Sequence, residues 1–87
     1  MDKELYPVFR VDICFEPYSI DDVLIGAKSR EDLLKNFDFK KCLQGVSEEE
    51  LQLRIAILKR FENRIELVKD LYTDRPYEVL ETFRYHE

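Results

Sequence analysis

The sequence predicts an α+β domain: a small three-stranded, mainly antiparallel sheet packed by a short helix and one long amphipathic helix, in the order β-β-α-α-β. Three observations predict it. Residues 8–16 alternate apolar and polar with period two. Residues 51–72 carry an apolar stripe at spacings of three and four, behind a serine cap. The chain has 87 residues, room for a single domain over 1–87 with one core, so these elements must share it.

In the first element Phe9, Val11, Ile13 and Phe15 alternate with Arg10, Asp12, Cys14 and Glu16, which puts the two sets on opposite faces of a strand. Pro17 cannot donate to a ladder and ends it. Residues 18–22 read as a loop, and the apolar run Val23–Ala27 as a second strand pairing back on the first. A short helix from Ile20, capped by Ser19, is the rival reading.

Ser29 is a helix start whose hydroxyl can accept from the Asp32 amide, and Leu33, Leu34 and Phe37 supply the buried stripe. Asp38 restarts a helical turn through Phe39, Cys42 and Leu43, and Gly45 is a left-handed stop. Ser47 with Glu50 forms a capping box, with Val46 and Leu51 placed as its hydrophobic staple. Three glutamates, Glu48 to Glu50, suit the positive end of the helix dipole. The helix that follows keeps Leu51, Ile55, Leu58, Phe61, Ile65, Val68 and Tyr72 in phase, so it is expected to run to Tyr72. The competing reading stops it near residue 62: Arg64–Val68 also alternates, and a four-stranded sheet with a C-terminal hairpin then results. Pro76 breaks whatever precedes it, and Tyr77–Tyr85 alternates well enough for a last strand.

Composition narrows the function classes. Hydrophobic residues make up 45% and aromatics 13%, too much for a disordered chain. Net charge is −5; residues 1–45 hold seven basic and nine acidic groups, residues 46–87 seven and ten, and no basic block stands out. That disfavours nucleic acid and an anionic membrane surface, which both ask for a cationic face. No stretch is apolar enough to span a membrane, and no secretory leader is visible, so a soluble cytoplasmic protein with reduced thiols is expected.

The search for chemistry yields few groups. Two cysteines 28 positions apart and one histidine near the end do not make a zinc site, so no metal or cofactor is expected. Asp21-Asp22 could offer oxygens to Mg²⁺, but adjacent acids are more often solvated turn residues. Cys14 shares a strand face with Arg10, which favours its thiolate; a nucleophile also needs a base, and His86 is the only histidine. The chain has no nucleophile elbow and no phosphate-cradling glycine loop. Tyr72, Arg75, Tyr77, Phe83, Arg84 and Tyr85 remain, a Tyr/Arg-rich set of the kind enriched in binding hot spots, or else simply core and rim.

The expected function is therefore a small acidic protein-binding module, a regulator or inhibitor of another protein, and not an enzyme. The alternative is a small enzyme or ligand-binding domain using Cys14 or the Asp21-Asp22 loop. A homodimer through the long helix is a further expectation, since Leu53, Leu67 and Leu71 lie off its main stripe.

Overall fold

The computed structural model describes residues 4–13, 19–43 and 45–86. It contains four strands, β1 (Tyr6–Asp12), β2 (Ser19–Gly26), β3 (Ile65–Thr73) and β4 (Val79–His86), and two α-helices, α1 (Arg30–Asn36) and α2 (Glu48–Arg60). The class is α+β, with one four-stranded antiparallel sheet in the order β3-β1-β2-β4.

The hairpin β1–β2 forms the centre, with Val11 across from Val23 and Phe9 across from Ile25. The pleat then sorts the side chains. Phe9, Val11, Ile13, Val23, Ile25 and Ala27 point to one face and join Leu33, Phe37, Phe39, Leu43, Leu51 and Leu58 in a single buried cluster. Both helices therefore cover that face. Phe37 and Phe39 meet edge to face there, ring centres 4.9 Å apart.

The local stops and starts follow side-chain chemistry. The Ser29 hydroxyl accepts from the Asp32 amide at 3.0 Å, and the Ser47 hydroxyl from the Glu50 amide at 3.2 Å. Glu50 also holds Arg54 at 2.8 Å, one turn on. Between the helices, Asp38 caps a short 3₁₀ turn over Phe39–Lys41, and Gly45 takes φ +82°. Arg30, at the start of α1, donates to the carbonyls of Leu58 and Lys59 at 2.9 and 3.2 Å, satisfying the last turn of α2.

Several expectations need correction. The long helix does not reach Tyr72. It ends at Arg60; Phe61 caps it in extended conformation, a 3₁₀ turn covers Glu62–Arg64, and β3 begins at Ile65. Three strands and the order β-β-α-α-β become four strands in the order β-β-α-α-β-β. The reason is the free outer edge of β1. A strand there pairs Ile65 with Val11, Glu66 with Arg10 and Leu67 with Phe9, and still buries Ile65 in the core cluster. Nor do β3 and β4 form the C-terminal hairpin of the competing reading. They lie on opposite edges of the sheet, separated by the central pair. Leu53 thus stands alone on α2, while Leu67 and Leu71 belong to β3, so no one helix carries all three. The second strand also starts earlier than its apolar run, at Ser19, which makes Asp21 and Asp22 strand residues and not loop.

The link from β3 to β4 passes across the end of the central hairpin. The Tyr77 amide donates to the Gly26 carbonyl at 2.8 Å, and Gly26 bridges Pro76. A Cβ on Gly26 would fall 2.3 Å from the Thr73 methyl, so this crossing depends on glycine. Tyr77 itself sits at φ 61°, strained for an L side chain. It is held there from three sides: by that amide bond, by Lys41 donating to its carbonyl at 3.3 Å, and by its own hydroxyl donating to Asp32. β3 bulges between its pairings with Phe9 and Pro7, where Asp70 also takes φ 61°.

Candidate surface on the uncovered sheet face

The other sheet face is turned away from both helices, and it holds the one buried charge among the described residues. By the pleat it receives Val8, Arg10 and Asp12 from β1, Asp22 and Leu24 from β2, Glu66 from β3, and Glu81 and Phe83 from β4. Asp22 is only 7% exposed, although it is turned away from the helices. Arg10 shields it: the guanidinium Nε and a terminal nitrogen reach the same carboxylate oxygen at 2.7 and 2.5 Å. On its other side Arg10 lies over the Phe83 ring, 5.6 Å from the centroid.

Next to this pair is an open recess of about 240 Å³, lined by Arg10, Asp12, Asp22, Asn63, Arg64 and Glu66. Arg64 reaches across it to Asp12 at 3.6 Å. Glu66 sits directly across from Arg10 in the strand register and is exposed. The recess is a surface concavity, and four of its residues are paired across two ion pairs.

A second recess, about 330 Å³, lies beside the α1 stripe among Arg30, Glu31, Leu34, Lys35 and Lys59. Its most distinctive group, Arg30, already has the structural task of capping α2.

The structure scatters the Tyr/Arg-rich set. Tyr72 is exposed on β3, one edge of the sheet, and Arg75 in the connection beyond it. Tyr77 packs against the core cluster and bonds Asp32. That bond, with some burial, pushes its hydroxyl up to about 12, and the same bond holds the Asp32 carboxyl below the usual carboxylate range. Phe83, Arg84 and Tyr85 lie along β4, the opposite edge. Phe83 faces Arg10; the side chains of Arg84 and Tyr85 fall outside the described residues.

Of the groups considered for chemistry, Cys14 lies outside the described residues, as do the side chains of Asp21 and His86. Asp22 belongs to the ion pair. Burial pushes the Cys42 thiol up to about 11, which favours its protonated form near neutral pH. No helix among the described residues is long and apolar enough to cross a membrane.

Sequence reasoning missed Asp22, Asn63, Arg64 and Glu66 as companions of Arg10. The signal lay in the hairpin register: once Val11 is set against Val23, Arg10 stands diagonally beside Asp22. Reading residues 18–22 as loop hid it. Comparison of the chain with protein-family models, with curated proteins and with solved structures finds no match.

Proposed function

We propose that this chain is a small acidic protein-binding module, a non-catalytic regulator or inhibitor of a partner protein, and that the uncovered sheet face is the surface it presents. The observation that carries the reading is the Asp22–Arg10–Phe83 arrangement. A buried carboxylate under an arginine is a weak source of stability compared with apolar packing. Its presence on the face turned away from the helices makes sense where that face must hold an ordered polar group for a contact. Arginine and aromatic side chains already immobilised lose little entropy on binding.

The charge supports a protein partner over nucleic acid or an anionic membrane, since the chain is acidic overall at −5. The cytoplasm is the compartment we assign, with Cys42 as a free thiol. An enzyme built on Asp22 is the weaker reading, because Arg10 occupies the carboxylate that would have to act.

Capture from an extract of the native host tests this. Wild type is expected to retain a partner that Phe83→Ala loses and Tyr72→Ala, on the far edge, keeps. Equal retention by both variants removes the free face from the proposal. The same wild-type protein in the ultracentrifuge distinguishes self-association through Leu67 and Leu71: a mass of one 10.5 kDa chain excludes it.

A further inference from the structure

The acidic balance of the chain divides by layer. Residues 27–60, which form both helices, carry eight basic and six acidic side chains, a balance of +2. The described strands and their connections, 4–13, 19–26 and 61–86, carry five basic and ten acidic, a balance of −5. Dividing the sequence at its middle hides this, because the helices come from the middle of the chain.

On the free face the surplus has an address. Arg10 answers Asp22, and Arg64 answers Asp12. Glu66, at the rim of the recess, and Glu81, across from Leu24 on β4, are both exposed. An incoming anion would have to draw Arg10 away from two short contacts with Asp22. An incoming cation meets the exposed Glu66 carboxylate in a recess whose lining holds three acidic side chains, Asp12, Asp22 and Glu66, against two basic ones, Arg10 and Arg64.

Resting on the binding role above, we propose that the partner is a protein with a cationic surface, docked on the free sheet face with one lysine or arginine entering the recess at Glu66. Complementary charge of this kind sets association rate and salt sensitivity as well as choice of partner. The positive helical layer faces away and repels a wrongly oriented encounter.

The probe is a lysine homopolymer peptide, titrated by fluorescence anisotropy at low and raised salt against three forms of the protein. Glu66→Lys with Glu81→Lys reverses two charges on the free face. Glu31→Lys with Glu49→Lys reverses two exposed charges on the helices and changes net charge by the same amount. We expect the face variant to bind at least about tenfold more weakly than wild type, and the helix variant to stay within about threefold. Equal losses in the two variants would mean that net charge alone is at work and would overturn the proposal; so would absence of salt-sensitive binding by wild type. In the host-extract capture, a partner lost by Phe83→Ala but kept by the doubly reversed face variant refutes the cationic chemistry and leaves the binding role standing.

Discussion

The two faces of the central hairpin are built by opposite means from adjacent residues. Val11 and Val23 turn toward the helices and are almost wholly buried among hydrocarbon. One residue away, Arg10 and Asp22 turn to the other side and hold each other through charge. The first face gains its stability from area removed from water, at roughly 25 cal/mol per Å². The second also buries Val8 and Leu24, but it sets charge beside them. Its ion pair fixes the position of two side chains and a neighbouring ring. The comparison teaches that one face is built from hydrocarbon alone, whereas the other combines buried Val8 and Leu24 with an ion pair that orders its surface.

Truncation on the helical face breaks the comparison hardest. Leu58→Ala removes a side chain with no exposure and is expected to destabilise by about 2–5 kcal/mol in urea unfolding. On the bare face the two members of one pair should respond unequally. Arg10→Ala strands a buried carboxylate and is expected to lose about 3 kcal/mol. Asp22→Ala leaves Arg10, whose side chain is 44% exposed and can turn to water, and is expected to lose only about 1 kcal/mol. Equal losses would show that the pair stabilises through contact alone and that Asp22 is not kept from water.

Gly26→Ala probes the crossing at the end of the hairpin. The added methyl meets the Thr73 methyl, while the Thr73 hydroxyl is fixed by the Arg75 amide at 3.0 Å, so rotation away is hindered. A loss of about 1–3 kcal/mol is expected. Gly26→Ala with Thr73→Ser should recover much of it, and failure to recover would place the strain elsewhere.

The smallest effect belongs to Tyr77→Phe, and it is best seen through pH. The hydrogen bond holds the Asp32 carboxyl low, so its stabilisation is present above about pH 4 and fades as pH falls through the lowered value. It holds the Tyr77 hydroxyl high, so its stabilisation is present below about pH 10 and fades as pH rises toward about 12. Thermal melts of wild type and Tyr77→Phe should differ between those limits and converge beyond both. A difference independent of pH would assign Tyr77 to packing only.

Much of this architecture was legible in the sequence where a local cause decides it. Ser29 and Ser47 cap as expected, Gly45 turns left-handed, and Phe9, Val11 and Ile13 share the buried face. The switch at Phe61 was not legible. Ile65 falls in phase with Leu58 on a helix and also points inward on a strand, so its burial cannot choose between them. What chooses is the vacant edge of β1, a demand from the far end of the chain. The candidate surface was legible in the same partial way. Phe83 and Arg10 stood out by type, but bringing them together required the strand order, and separating Tyr72 from Phe83 required the same knowledge.

That strand order sets how the domain must assemble. Because β3 and β4 share no ladder, the last third of the chain has no hairpin of its own to nucleate. Each of its strands waits for a template some sixty residues upstream in sequence, a costly loop to close. A peptide of residues 61–87 made alone should stay unstructured, and mixed with residues 1–60 it should gain β signal only as both sides of the central pair are filled.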